Sequence, residues 1–547
     1  MHRSRPRSIA RSRSRSRSRR RIAAGFCATT LLLGGSLAAG PSPSPSPTPK
    51  PSTSESAGDG ATAPRLRWGD CPEKSAPPEM RCATLSVPLD HDAPGKGSVK
   101  LALAKLPATE TGSGGSGGRK PLGSLLLNFG GPGAPAVSTL AADPNAFSEL
   151  NKRYDLVAFD PRGVGLSEPV SCGGAPEAGE SASGGAGADT AAAELAALRA
   201  EARRCAKASG PVLPYIGTVS VARDMDVIRE ALGEKKLDFL GFSYGTRLGA
   251  VYAALFPRNT GRMVLDGVDT LGEPLTEQAL RSAVGQQRAL DNFLAWCARQ
   301  KGCVYGTNTR TAKEKVEALV TRLDAEPLVG EGGVRFTGQD VTEAIGNALY
   351  SQRLWPPLAK ALALVERDGD PVGLMQLGGP TEPPPPDTAD EDPADKVPAD
   401  NAQAALVAVS CADDPDRGDA KASPAAVERE IEELQPVFLA ASPIFGPRQL
   451  MTVLSCYGRP AGTDYIRKID RPAGIPRILL VGTRGDPATP YEWTEETAKR
   501  LGNTVVLDYK GDGHTGYVAS PCVRGYVDHF LVDGRLPPGT RACPAGE

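Results

Sequence analysis

Across 547 residues the chain carries 63 lysines and arginines against 64 aspartates and glutamates, a net charge of −1, with 62 glycines, 50 prolines and 11 cysteines. The balance is uneven: residues 1 to 21 hold ten arginines and no acid, whereas residues 65 to 547 hold 52 basic and 62 acidic side chains. A mildly acidic body of that size excludes a nucleic-acid partner bound through a basic surface, and it has room for one large α/β domain with an insertion.

The arginine-serine run is followed by IAAGFCATTLLLGGSLAAG, nineteen residues without a charge that end in small side chains. A basic start, an apolar stretch and small residues near Ala38 to Gly40 predict a secretory signal peptide over residues 1–40; left uncleaved, it would be the one membrane anchor. Ser18-Arg19-Arg20 is similar to a twin-arginine export signal, and Cys27 lies inside the apolar stretch, away from a lipidation position. Residues 41–64, PSPSPSPTPKPSTSESAGDGATAP, alternate proline with small polar residues and predict an extended linker with nothing to bury. Beyond Cys27 ten cysteines remain, an even number that suits disulfides in an exported protein, here expected to pair with their nearest neighbours in sequence. No C-x-x-C pair occurs, so no metal site is expected.

Short Leu-, Val- and Ile-rich runs bounded by Gly, Pro or Asp then recur: SLLLNF (124–129), YDLVAFD (154–160), LDFL (237–240), RMVLDGV (262–268), RILLVG (477–482) and TVVLDY (504–509). They predict the buried strands of a mostly parallel, doubly wound sheet, and so an α/β class. Helical spacing takes over after Thr270, as in EQALRSAVGQQRALDNFLAWCARQ, which divides the body into a first core part (65–274), a helical lid inserted at 275–450 and a C-terminal core part (451–547). The acidic, proline-rich stretch 381–400 is expected to be a disordered loop, and the Gly- and Ala-rich excursion 172–205 to be closed by its two cysteines.

Two places fit the G-x-S-x-G pattern of a hydrolase nucleophile elbow. GGSGG at 114–118 has no strand before it and no helix after it, so Ser116 reads as a loop residue. GFSYG at 241–245 follows an amphipathic helix with Val221, Met225, Ile228 and Leu232 on one face, then the strand LDFL, and leads into the apolar helix TRLGAVYAALFP. Strand, sharp turn and helix are the context a nucleophile elbow needs, which makes Ser243 the candidate nucleophile.

A serine needs a base, and the base an acid. Of four histidines, His2 is in the leader, His91 follows an early strand in an expected surface turn, and His529 belongs to a terminal helix. His514, in the glycine-rich loop YKGDGHTGY after the last strand, is the candidate base; Asp486, in the loop after RILLVG, is the candidate acid, with Asp266 and Asp269 as alternatives. The order Ser243, Asp486, His514 is that of α/β hydrolases. For the oxyanion the backbone of Tyr244 offers one donor, and the loop NFGGPGAP offers another, where Gly130 and Gly131 let the chain approach a carbonyl.

NFGGPG, DPRGVGLSEPVSC, LGFSYGTRLGAVYAALFP, MVLDGV, GDPATP and GDGHTGY occur in the order found in prolyl aminopeptidases and secreted bacterial tripeptidyl aminopeptidases, and the chain resembles that group from about Trp68 to Cys543. The resemblance implies an exported, cofactor-free serine exopeptidase with a TAP-like C-terminal region that releases short peptides, expected to be tripeptides, from free N-termini. Phe129 stands where the prolyl enzymes have histidine, which points to the tripeptidyl branch; Arg162 of DPRGVG reads as a structural anchor. A buried substrate ammonium needs a carboxylate, and Asp413 beside a half-cystine, Glu273 and Asp414 are the lid-side candidates. An esterase or amidase on the same residues is the alternative, and a catalytically silent surface protein a more distant one.

Overall fold

The structure is a computed structural model that describes residues 66–546 apart from 74–75, 111–119, 175–187, 330–334, 380–395, 418–420, 461 and 538–540. The expected leader, the linker, Ser116 and most of the acidic stretch 381–400 lie outside the described residues.

Twelve strands are described: β1 (Gly69–Asp70), β2 (Arg81–Pro88), β3 (Ser98–Leu106), β4 (Ser124–Asn128), β5 (Asp155–Phe159), β6 (Leu237–Phe242), β7 (Thr260–Asp266), β8 (Leu328–Val329), β9 (Arg335–Phe336), β10 (Ile478–Gly485), β11 (Thr504–Asp512) and β12 (Arg541–Cys543). Ten of them form one sheet in the order β1-β2-β3-β5-β4-β6-β7-β10-β11-β12. Every pairing from β5 to β12 is parallel, and only β1, β2 and β3 run antiparallel to their neighbours.

The apolar runs form central strands because both faces of the sheet are covered. In β4, Leu126 packs into one core cluster while Leu125 and Leu127 pack into the other, so no position of the strand can be polar without a partner. β2 differs: Arg81–Pro88 alternates buried and exposed residues along CATLSVP, the pattern of a strand with one wet face. The sequence reading anticipated an early strand there but not the antiparallel β2–β3 pair.

The helical lid has its own core, where Phe293, Trp355, Leu358 and Phe445 pack together, and a small β8–β9 hairpin at its edge. The helix Asn401–Asp413 falls within the expected lid boundaries yet buries Ala404, Ala405, Ala408 and Val409 in the cluster of the sheet. Disulfides join Cys71–Cys82, Cys172–Cys205, Cys297–Cys303, Cys411–Cys456 and Cys522–Cys543, the nearest-neighbour pairing expected from sequence. No helix among the described residues is long and apolar enough to cross a membrane.

Candidate active site

β6 ends at Phe242, and the helix Tyr244–Leu255 starts two residues later, so Ser243 alone makes the turn, at φ 54° and ψ −127°. A non-glycine residue held there costs about 1–3 kcal/mol and persists only where its surroundings over-determine it. Ser243 N–H donates to the Asp266 carbonyl of β7 at 2.9 Å, and its own carbonyl accepts from Thr246 N–H at 2.8 Å and Thr246 Oγ1 at 2.6 Å. The flanking glycines are steric requirements. A Cβ on Gly241 would lie 2.5 Å from the Gly245 carbonyl, and one on Gly245 would lie 2.7 Å from Asn128 Oδ1.

The NFGGPG loop leaves β4 and lies against this turn. Gly130 has φ 90° and Gly131 φ 105°, and a Cβ on Gly130 would meet the Phe242 carbonyl at 2.6 Å, Ser243 Cβ at 2.8 Å and Tyr244 N at 3.0 Å. Tyr244 opens its helix, so its N–H has no intrahelical acceptor and stands at the positive end of the helix dipole. The Gly130 N–H is already donated to Asn128 Oδ1 at 3.0 Å. Gly130 therefore contributes space, and of the three expected oxyanion residues Tyr244 and Gly131 remain as sources of backbone donors.

Asp486 follows β10 directly and is buried. Its Oδ1 accepts from Ala488 N–H at 2.9 Å and Thr489 N–H at 2.8 Å, and its Oδ2 from Thr489 Oγ1 at 2.9 Å and Thr515 N–H at 3.3 Å. Against this fixed carboxylate stands His514, with Nδ1 at 2.9 Å from Oδ1 and 3.0 Å from Oδ2. That contact makes Nδ1 the protonated nitrogen and leaves Nε2 as the basic one. Burial opposes charge on the imidazole, yet the adjacent Asp486, with Asp266 and Asp269 farther off, holds its pKa above the ordinary value.

The alternative acids are engaged elsewhere. Asp266 accepts from Gly516 N–H at 2.8 Å and Tyr517 N–H at 2.7 Å, and burial pushes its pKa up to about 6. Asp269 Oδ1 takes Arg247 at 3.0 Å and Thr270 N–H at 2.8 Å. Asp266 thus braces the loop after the histidine from behind and links it to the Ser243 turn through its own carbonyl.

Residues 123–368 match the family described as alpha/beta hydrolase fold, and residues 442–543 the family described as TAP-like protein. The chain is 32% identical over 504 residues to serine protease Hip1 of Mycobacterium tuberculosis, covering 87% of this chain and 91% of that one. It is 34% identical over 496 residues to carboxylesterase B of the same species, covering 88% and 90%, and 30% identical over 485 residues to tripeptidyl aminopeptidase of Streptomyces lividans, covering 86% and 85%. The chain belongs to the α/β-hydrolase family. It is a serine hydrolase of the group that includes these peptidases and the esterase.

In this α/β hydrolase several expected residues have other surroundings than the sequence suggested. His91 is not a free surface turn: its Nε2 lies 2.7 Å from Asp224 Oδ1, inside a cluster built on buried Arg162. Arg162 holds Asp224 at 2.7 Å through Nε and at 2.6 Å through Nη2, and donates to the carbonyls of Leu89 at 2.7 Å and Pro88 at 2.9 Å, anchoring DPRGVG to the end of β2. His529 is exposed, its Nδ1 at 2.6 Å from the Gly525 carbonyl.

The proposed ammonium acceptors are committed inward. Asp413 is buried, accepts from Thr218 N–H at 2.9 Å and Thr218 Oγ1 at 2.5 Å, and stands 3.9 Å from Arg247. Burial raises its pKa to about 6 against the pull of Arg247 and Thr218. The Tyr244 hydroxyl, 2.6 Å from Thr218 Oγ1, extends this chain, so Asp413 supports the side chain of the residue after the serine. Glu273 is held by Arg281 at 2.9 Å and Trp493 Nε1 at 2.7 Å, and Asp414 by Arg467 at 2.7 Å and the Leu275 N–H. Apart from Arg281, eight residues from Glu273, these partners lie far away in sequence, where no local pattern reveals them.

The lid supplies contacts that the sequence reading missed. The Tyr350 carbonyl accepts His514 N–H at 2.8 Å, and the Tyr350 ring meets the imidazole edge-on at 5.0 Å and 75°. Beside it, Asn292 Nδ2 and Gln352 Nε2 donate to the two oxygens of Asp512 at 2.7 and 2.8 Å. Thr489 was within reach, because a threonine three residues after an aspartate in GDPATP is an ordinary turn-capping pattern.

Proposed function

We propose that the protein is an exported serine exopeptidase that releases short peptides, tripeptides in particular, from free N-termini through an acyl-enzyme. The fixed Asp486 carboxylate on His514 Nδ1, with a serine turned out of line at the end of β6, supports the serine-hydrolase chemistry, and the observation that favours the peptidase reading is the 30% identity to tripeptidyl aminopeptidase of Streptomyces lividans along 86% of the chain. In the reaction, Ser243 Oγ passes its proton to His514 Nε2 and attacks the peptide carbonyl, while Asp486 stabilises the imidazolium. The oxyanion takes the N–H groups of Tyr244 and Gly131, each such donor contributing a factor of about 10²–10³ to turnover. His514 then protonates the departing amine, and a water activated by the same nitrogen frees the acyl group from Ser243.

Three features support peptides as substrates and export as the setting. The tripeptidyl aminopeptidase of Streptomyces lividans aligns along 86% of the chain, Phe129 stands in NFGGPG where prolyl enzymes have histidine, and five disulfides suit an oxidising compartment behind a basic and apolar N-terminal segment. The esterase reading is favoured by one observation, the 34% identity to carboxylesterase B. A substrate panel on purified protein separates them: free tripeptide amides, their N-acetylated forms and simple esters. The exopeptidase reading expects the free peptides to be cleaved at least about 100-fold faster than the blocked ones, the scale of one lost charge partner; equal rates, or turnover of esters alone, would overturn it.

A further inference from the structure

An enzyme that takes its substrate by a free N-terminus must meet an ammonium ion, and a partly buried cation needs an unmatched carboxylate. The acids around the site are otherwise used. Asp486 and Asp266 are capped by backbone N–H groups, Asp269 and Asp413 share Arg247, Glu273 is held by Arg281, and Asp414 by Arg467.

Asp512 differs. It is the last residue of β11, paired with Gly485 at the end of β10, next to Asp486 and two residues before His514. Its carboxylate stands at the seam where the lid meets the C-terminal ends of the parallel strands, the side on which such sheets bind ligands. The core makes room for it, since a Cβ on Gly485 would fall 2.1 Å from Asp512 Oδ1. Its two partners are neutral lid amides, Asn292 from the helix Leu275–Cys297 and Gln352 from the turn Gln352–Leu354, and among the described residues no cation pairs with it. Burial, opposed by those two amides, raises its pKa. Each carboxylate oxygen has a further lone pair, and the amides that donate to it carry acceptor oxygens of their own. An ammonium with three N–H donors would therefore find one charged and two neutral acceptors from the core and the lid together.

We propose that Asp512, flanked by Asn292 and Gln352, is the receptor for the substrate's α-ammonium group. The proposal rests on the aminopeptidase reading above and gives it a specificity residue.

The test compares wild type with Asp512→Asn on a free tripeptide p-nitroanilide, its N-acetylated form and p-nitrophenyl acetate. Asparagine can still bond to both lid amides, because Gln352 can turn its amide over, and the ester reports whether the triad is intact. Expected is a fall in kcat/KM of about 30-fold or more on the free peptide, carried mainly by KM, with the blocked peptide and the ester within about 3-fold of wild type. An unchanged free-peptide rate overturns the proposal. So does an equal fall on all three substrates, which would make Asp512 a tether between lid and histidine loop. Wild type that cleaves free and blocked peptides equally overturns the aminopeptidase reading itself, before the variant is considered.

Discussion

The strand ends that carry Ser243, Asp486 and His514 and the lid that covers them are held by different kinds of bond. At the strand ends, carboxylates are surrounded by backbone donors: Asp486 collects Ala488, Thr489 and Thr515 N–H groups, and Asp266 collects those of Gly516 and Tyr517. Such bonds move only if the main chain moves. The lid reaches the same loops through two side-chain amides on Asp512, one carbonyl and one aromatic ring of Tyr350. The two amides and the ring can re-form their contacts around a substrate by rotamer changes, and only the Tyr350 carbonyl bond ties lid to histidine loop through main chain on both sides. Under the function proposed above, this division holds the reacting groups rigidly and leaves selection to an adaptable surface, which matches the demand for preorganised donors at the reacting centre and for closure over a bound substrate.

Five substitutions sharpen or break that comparison. Ser243→Ala should have the largest effect, a loss of about 10⁴–10⁶ in kcat without loss of the folded state, read by turnover together with thermal melting; residual turnover within tenfold of wild type would remove Ser243 from the chemistry. His514→Ala should come close to it, and Asp486→Asn should lose somewhat less, about 10⁴-fold. The second change also carries a pH signature. Because Asp486 holds the His514 pKa above the ordinary imidazole value, the active neutral form predominates only above that raised pKa, and removing the carboxylate charge should move the acidic limb of the pH profile to lower pH. The same shift means that the pair contributes stability below the imidazole's unfolded pKa, lost as pH rises through the folded one. An acidic limb unchanged in Asp486→Asn would assign it to another group.

Gly130→Ala ranks fourth. Its φ of 90° and the 2.6 Å and 2.8 Å approaches to the Phe242 carbonyl and Ser243 Cβ leave no place for a methyl group, so the loop must retreat from Tyr244 and kcat should fall about 10²–10³-fold, with KM little changed. Tyr350→Ala should be mildest, because the backbone carbonyl that accepts His514 N–H survives while the ring is lost; a fall of about tenfold or less is expected, on the scale of one aromatic contact. A loss as large as that of His514→Ala would show that the lid belongs to the rigid apparatus, and the comparison would fail.

The sequence was most legible where local chemistry leaves one solution. Strands such as Leu125–Leu127, buried on both faces, cannot be anything but apolar, and a residue turned as sharply as Ser243 demands Gly241 and Gly245 around it. Asp486 and His514 became candidates because one follows β10 directly and the other follows β11 by two residues. What stayed hidden depends on partners far away in the chain. His91 meets Asp224, 133 residues on. Asp413, though next to Cys411 of a disulfide, turns inward to Thr218, 195 residues back. Asp512 reads as part of a Gly-rich turn until Asn292 and Gln352 are seen upon it. The antiparallel β2–β3 pair was weakly marked because its wet face mixes charged and apolar residues, and the helix Asn401–Asp413 because its small side chains suit a lid and a sheet core alike.

The central claim is that Ser243 is the nucleophile driven by His514 and Asp486. Its most direct test is mass spectrometry of the purified protein after reaction with a fluorophosphonate, locating the adduct by tryptic digestion. The account predicts one adduct, on the peptide LDFLGFSYGTR, which spans residues 237 to 247 and contains Ser243 as its single serine, and its absence from the His514→Ala protein. An adduct on any other serine, or unchanged labelling without His514, would contradict it.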